Sequence, residues 1–119
     1  MFSLDSTMRY WLYNKPVNMR MGFNGLSGIV NNHMRMDIRS GDVFVFVNSA
    51  RNRMKILHRE GNGLVLYSLR IEMGRMRLSF SDETKGLSTE LAHADLISTA
   101  RSAMESPYIR RMRMLSSCL

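Results

Sequence analysis

Hydrophobic and polar residues follow two different periods along the first half of the chain. Residues 8–13 and 53–59 are short segments of strand-forming residues, whose two parities would lie on opposite faces of a sheet, while Val43 to Val47 is apolar at every position. An unbroken apolar run of this length predicts a strand buried on both faces. Residues 19–34 place their apolar side chains on one side at helical spacing, and Asn18 stands where an N-cap would. This half therefore predicts three strands and one main helix.

Turn residues and a second helical pattern organise the rest of the chain. Glu60-Gly61-Asn62-Gly63 predicts a hairpin turn into a strand over 64–69. Residues 75–80 alternate cleanly and predict either a further strand or an extended segment lying on the sheet. Ser88 is placed to cap a helix that runs to about Met104 and ends before Pro107. The predicted fold class is α+β: a small antiparallel or mixed sheet of about four strands packed on the main helix, with a C-terminal helix.

The length of 119 residues suits one domain of ordinary size. Residues 1–80 are predicted to form the α+β domain. Residues 81–119 are predicted to be a linker, the C-terminal helix and a basic tail, packed on the same domain. Three glycines recur at every third position of the main helix, at Gly22, Gly25 and Gly28. Because glycine weakens a helix, the spacing predicts close packing on that flank, by a neighbouring strand or, alternatively, by a phosphate backbone or partner helix.

Charge points to the class of partner. The chain has 17 Lys and Arg against 10 Asp and Glu, for a net charge of +7 and a pI of about 10.3. Residues 1–80 hold 12 of these cations and 5 of these anions, so the whole excess lies there. Most of the cations are arginines, whose planar fork of donors suits phosphate. An anionic partner follows, with nucleic acid as the first candidate.

Most of the predicted nucleic-acid-binding residues come from the strand parities. Arg53, Lys55 and Arg59 share one parity, and Trp11 and Tyr13 share the parity of Arg9. One hypothesis is a sheet with helices on one face and cations with aromatic side chains on the other, which would contact phosphates and stack bases. The alternative is a solvated outer face with Trp11 and Tyr13 in the core. The full predicted set is Arg9, Arg20, Arg51, Arg53, Lys55, Arg59, Arg70, Arg75 and Arg77.

No catalytic site, metal site or cofactor is predicted. His33, His58 and His93 lack the spacing of a metal site, and His58, the best candidate for proton transfer, has no visible nucleophile beside it. The single cysteine, Cys118, cannot form an internal disulfide, which fits a reducing compartment. Neither a signal peptide nor a membrane span is visible, so we expect a cytoplasmic protein. Because no set of acid, base, nucleophile or metal ligand is assembled, we also expect that it is not an enzyme.

Several blocks of sequence, in order, resemble a known family. Residues 19–26 are similar to a Met-Arg-Lys-Gly-Phe-Asp-Gly-Leu signature, and further matching blocks stand at 41–46, 53–57, 63–67 and 70–76. They resemble TnpB, the small accessory protein encoded by the second reading frame of the sixty-six family of bacterial insertion sequences. The resemblance covers about residues 1–80. Met21, Asn24 and Leu69 depart from it, because they stand where the family has Lys, Asp and Lys.

The resemblance implies an accessory role in DNA transposition, by binding DNA, the transposase of a neighbouring reading frame, or both. It implies no catalytic residue. The family positions that this chain retains are Arg20, Gly22, Phe23, Gly25, Leu26, Phe44, Phe46, Lys55, Leu57, Tyr67, Arg70, Glu72 and Gly74. Two alternatives stay open: a general nucleic-acid-binding module, and an adaptor whose methionine-rich surface docks the transposase. The sequence predicts no oligomeric state.

Overall fold

A computed structural model of the chain describes residues 4–70, 76 and 86–96, together with the backbone of residues 109–114. The fold is α+β, as predicted, and its sheet is mixed. The helix α1 (Phe23–Gly28) continues as a π-helical segment (Ile29–His33). The strands are β1 (Tyr10–Tyr13), β2 (Val43–Val47), β3 (Arg53–Glu60), β4 (Gly63–Arg70), β5 (Ser88–Leu91) and β6 (Ile109–Met114).

The strands form one sheet in the order β5-β1-β2-β3-β4-β6, which exceeds the predicted number of about four. β1 and β2 run parallel, and every other neighbouring pair is antiparallel. The predicted hairpin between β3 and β4 is confirmed, with Glu60 opposite Gly63. Gly61 has a φ of 57°, which the primed turns of two-residue hairpins require at this position.

Both faces of the sheet are covered. One face carries Val43, Val45 and Val47 of β2 in a cluster with Met54, Ile56 and Tyr67, and with Met76 and Leu96 packed on it. The other face carries Phe44, Phe46 and Leu57, which pack with Leu26 and Val30 of the helical segment. β2 is therefore buried on both faces, as its unbroken apolar run predicts.

The main helix is shorter than predicted and begins later. Asn18 does not cap it; its Oδ1 accepts the backbone N–H of Arg20 at 2.9 Å and so closes a turn. The helix starts at Phe23, after Gly22, which provides no side-chain cap. At its other end the N–H of Met34 donates to the carbonyl of Ile29 at 2.9 Å, the i→i+5 pattern of a π-helix.

The prediction that a neighbouring strand packs closely on the glycine flank is wrong, whereas packing there by a phosphate backbone or partner helix stays a prediction. A Cβ added at Gly22 or Gly28 would meet nothing within 4 Å. At Gly25 it would meet Cε of Met21 at 2.8 Å, which is the mobile end of a nearby side chain rather than a strand or partner.

Residues 88–91 form a strand, so the prediction that Ser88 caps a helix is wrong. β5 pairs with β1 from Ser88, opposite Tyr13, to Leu91, opposite Tyr10, and residues 93–96 are helical. The free edge of β1 needs hydrogen-bond partners, and satisfying them outweighs the weak helical preference of these four residues. The side chain of Asn14 holds the start of β5 beside the end of β1, since it donates to the carbonyl of Gly86 at 3.0 Å and accepts from the Thr89 hydroxyl at 2.9 Å. The predicted helix beyond residue 96 lies outside the described residues.

Two other predicted segments fall wholly or partly outside the described part. Of the segment 75–80 the structure describes Met76, which is buried and donates its N–H to the carbonyl of Arg51 at 2.7 Å. In the basic tail, the backbone of 109–114 forms β6, which pairs with β4. The sheet thus includes strands from both 1–80 and 81–119.

Candidate nucleic-acid interface

The connection from β2 to β3 presents two arginines at one end of the sheet. Asn48 organises it: its Oδ1 accepts the N–H groups of Asn52 at 3.0 Å and Arg53 at 3.1 Å. Arg51 follows in the left-handed region, with a φ of 57°. Arg53 then begins β3, is exposed, and lies opposite the exposed Arg70 at the end of β4.

Lys55 joins this end of the sheet to the start of the helix. Its Nζ donates to the carbonyl of Met21 at 2.7 Å, and the side chain is half-buried. Arg20, one residue before that carbonyl, is exposed. Lys15 is exposed too, and lies two residues before Val17, whose N–H donates to the carbonyl of Val47 at the end of β2.

These six cations surround the place where β2 ends, β3 begins and β4 ends. We call this surface, which comprises Lys15, Arg20, Arg51, Arg53, Lys55 and Arg70, the basic end. The described acids all lie elsewhere, mostly around the starts of β1 and β2 and the end of β3: Asp5, Asp37, Asp42, Glu60, Glu90 and Asp95. Within the part of the chain that the structure describes, charge is therefore segregated along the strand axis.

The opposite end, which we call the mixed-charge end, has cations whose partners lie within the protein. Arg9 forms an ion pair with Glu90 at 3.2 Å, and its guanidinium lies 5.0 Å from the centre of the Trp11 ring. Arg59 donates to the carbonyls of Arg39 at 2.9 Å and Gly61 at 3.2 Å. Two members of the predicted site, Arg9 and Arg59, are thus separated from the basic end.

The hypothesis of a basic sheet face opposite the helix is wrong. Lys55 lies opposite Phe46, and Leu57 lies opposite Phe44, so this parity of β3 belongs to the face that packs on the helical segment. Arg53 and Arg59 remain exposed because they stand near the two ends of the strand.

A stacking platform beside these cations is not formed either. Tyr13 is buried, and the half-buried Trp11 donates its Nε1–H to Asp42 at 3.1 Å while Arg9 lies over its ring. Trp11 and Tyr13 therefore pack with the core, as the alternative interpretation held.

Of the nine predicted site residues, the structure brings five together: Arg20, Arg51, Arg53, Lys55 and Arg70. Arg75 and Arg77 lie outside the described residues. Lys15 belongs to the same end but was not predicted. Its neighbours in sequence give no sign of this, because its position depends on the parallel pairing of β1 with β2, which is set by residues about 30 positions apart.

His58, the candidate for proton transfer, is buried at the mixed-charge end. His58 is 3% exposed, its Nδ1 has no hydrogen-bond partner, and burial lowers its pKa below 6.5, against the opposing effects of the Asp42 carbonyl and the carboxylates of Glu60 and Asp5. A low pKa keeps the ring neutral at neutral pH. Among the described residues, no three or more His, Cys, Asp or Glu side chains are grouped so as to hold a metal ion.

Comparison with known proteins identifies the family. A sequence model described as "IS66 Orf2 like protein" matches residues 8–102. The chain belongs to this family. Its members are accessory proteins of transposition, and the family is not a known family of enzymes.

Two relatives from Sinorhizobium fredii are similar over part of their length. The uncharacterized protein y4jC is 31% identical over 68 residues, which cover 57% of this chain and 58% of the relative. The uncharacterized protein y4hO is 27% identical over 75 residues, or 63% of this chain and 65% of the relative. The matched segments thus span less than two thirds of either relative. No solved structure matches the chain significantly.

The IS66 Orf2-like match covers every residue of the basic end. It also covers the departures at Met21, Asn24 and Leu69. Leu69 is buried in the face opposite the helix, where a charged residue would be costly, and Met21 contributes its carbonyl to Lys55.

Within the described residues, the structure contains no helix long and apolar enough to cross a membrane.

Proposed function

We propose that this IS66 Orf2-like protein assists transposition by binding DNA through the basic end, chiefly by contacts to phosphates. The observation that supports this is the gathering of six cations at one end of the sheet, with every described acid elsewhere. A concentrated positive surface attracts the phosphate backbone and releases its counterions.

Lys55 is the exception among the six cations. Its ammonium is engaged with the carbonyl of Met21, so it helps to hold the helix against the sheet. The remaining five are Lys15, Arg20, Arg51, Arg53 and Arg70, and their guanidinium and ammonium groups are the proposed phosphate contacts.

The alternative of a methionine-rich docking surface finds less support. Met34, Met54 and Met76 are buried in the two cores. Among the other methionines whose side chains the structure describes, Met8, Met19, Met21 and Met36 pack against those cores and are half-buried. The described part therefore contains no exposed methionine with which to bind the transposase.

The test is the salt dependence of binding to insertion-sequence end DNA and to scrambled DNA, measured by fluorescence anisotropy from about 50 to 200 mM salt. Five phosphate contacts predict a slope of about −4.5 in log affinity against log salt. Replacing Arg20, Arg53 and Arg70 together by Gln should flatten the slope by about 2.7 and weaken binding to both DNAs alike.

The matched control replaces Arg9, Arg39 and Arg59 by Gln, which removes the same charge from the mixed-charge end. It should keep most of the wild-type slope, provided that circular dichroism shows it folded. Equal losses in the two triple variants would mean that net charge, not the basic end, attracts DNA. If the wild type does not bind at about 50 mM salt, DNA binding is wrong and contact with the transposase becomes the function to test.

A further inference from the structure

Arg53 and Arg70 face each other directly across β3 and β4. The hairpin closes at Glu60 and Gly63, and seven steps of register separate that pair from Arg53 and Arg70. Hydrogen-bonded and non-hydrogen-bonded pairs alternate along an antiparallel ladder, and the pair that closes a two-residue turn is hydrogen-bonded. An odd number of steps makes Arg53–Arg70 a non-hydrogen-bonded pair, the kind whose side chains come closest, with Cβ atoms about 4.5–5.5 Å apart.

Two like charges in this position destabilise a hairpin unless something lies between them. Both side chains are exposed, and within the described residues no acid lies within ion-pair distance of either. The same protein pairs Arg9 with Glu90 and Arg39 with Asp37 at the mixed-charge end. The uncompensated pair therefore sits where the cations are concentrated and the described acids are absent.

We propose that Arg53 and Arg70 form a clamp that holds one phosphodiester group of a bound nucleic acid between their guanidinium groups. This rests on the proposed function and names the contact at its centre. A phosphodiester carries one negative charge and two free oxygens, so each oxygen can accept from one planar guanidinium fork. The anion between the two arginines relieves the repulsion that the described residues leave in place.

The clamp makes stability and binding respond in opposite directions to one substitution. Arg53→Glu puts an acid opposite Arg70, which turns a repulsive cross-strand pair into an attractive one. We expect a higher urea midpoint than in the wild type. We also expect the salt slope of DNA binding to flatten by about 1.8, since one contact is removed and the other is neutralised, whereas Arg53→Gln should flatten it by about 0.9.

The matched control is Arg59→Glu, which makes the same charge change at an exposed position of the same strand, opposite Leu64. It should not raise the urea midpoint, and its salt slope should stay close to that of the wild type. A second measurement compares urea midpoints in sodium phosphate and in sodium chloride at equal ionic strength. Phosphate should raise the urea midpoint of the wild type more than that of Arg53→Glu. The general stabilising effect of phosphate is the same for both proteins, so it cancels when the two increases are compared.

Glu72 follows Arg70 by two positions and lies outside the described residues, so Glu72→Gln tests whether it neutralises the pair. If phosphate raises the urea midpoint of Glu72→Gln but not that of the wild type, Glu72 already neutralises the Arg53–Arg70 pair and the clamp is wrong. The clamp is also wrong if the wild type binds DNA but Arg53→Glu and Arg59→Glu weaken it equally, although the proposed function then stands. Absence of binding by the wild type at about 50 mM salt overturns both.

Discussion

The two ends of the sheet are built from the same strands, yet they differ in how their charges are partnered. At the mixed-charge end the polar groups bind one another: Glu90 pairs with Arg9, Asp42 accepts from Trp11, and Glu60 accepts from the Tyr67 hydroxyl at 3.1 Å. At the basic end no described acid accompanies the cations. Charges that bind within the protein serve the fold, and charges that do not are available to a ligand. The excess of +7 is thus less informative than its location.

The basic end itself contains both kinds of cation, and the largest predicted effect separates them. Lys55→Met removes the bond to the Met21 carbonyl and keeps most of the apolar stem. Because hydrogen bonds to charged groups contribute about 1.5–3 kcal/mol, we expect a loss of that size in the free energy of unfolding. Lys15→Met, at an exposed position of the same end, should change it by no more than about 0.5 kcal/mol. Urea denaturation measures both, and equal effects would show that Lys55 does not hold the helix.

The parts of the fold that depend on local pattern could be predicted from the sequence. β2 has an apolar residue at every position, and the hairpin of β3 and β4 is specified by Gly61 and Gly63 in the turn between two strand-forming segments. The strand β5 could not be predicted in this way. Its four residues become a strand because β1 offers an open edge, and that edge exists only after β1 has paired with β2.

The candidate site, too, was predictable only where it depends on local pattern. Parity shows that Arg53, Lys55 and Arg59 share a face, but not that the helix covers its centre and leaves only the strand ends open. It also cannot show that Arg70 lies opposite Arg53, since that follows from the length of the hairpin. The type of residue was informative, whereas the grouping of residues required the topology.

The mixed-charge end should respond to pH through His58. Burial lowers the pKa of this histidine below its ordinary value of 6.5, so the folded state favours the neutral ring. A base with a lowered pKa in the folded state binds fewer protons there than in the unfolded state. Stability is therefore full above about pH 6.5 and falls as the pH drops below it, until the folded-state pKa is passed.

The measurement is the urea midpoint between about pH 7.5 and 5.5, a range above the ordinary pKa values of carboxylates. His58→Gln keeps a side-chain donor and should remove most of the fall. His33→Gln, at an exposed position, should show the same fall in urea midpoint as the wild type. A fall of the same size in His58→Gln would assign the pH dependence to another group.

The smallest predicted effect compares two arginines that share an unusual backbone conformation. Arg51 has a φ of 57° and Arg35 a φ of 55°, in the left-handed region that costs a residue with a Cβ about 1–2 kcal/mol. Glycine avoids this strain but loses more conformational entropy on folding, by about 0.5–1 kcal/mol, so either Arg→Gly substitution should stabilise the fold by roughly 0.5–1 kcal/mol.

The two variants should differ in binding. Arg35 is not part of the basic end, and the carbonyl of Arg39, four residues after it, accepts from Arg59 at the mixed-charge end at 2.9 Å. Arg51 belongs to the basic end. Arg51→Gly should therefore flatten the salt slope of DNA binding by about 0.9, while Arg35→Gly should gain the same stability and leave the slope unchanged. If both variants gain stability and neither alters binding, the strained turn at Arg51 does not serve the interface, and the proposed contacts reduce to Lys15, Arg20, Arg53 and Arg70.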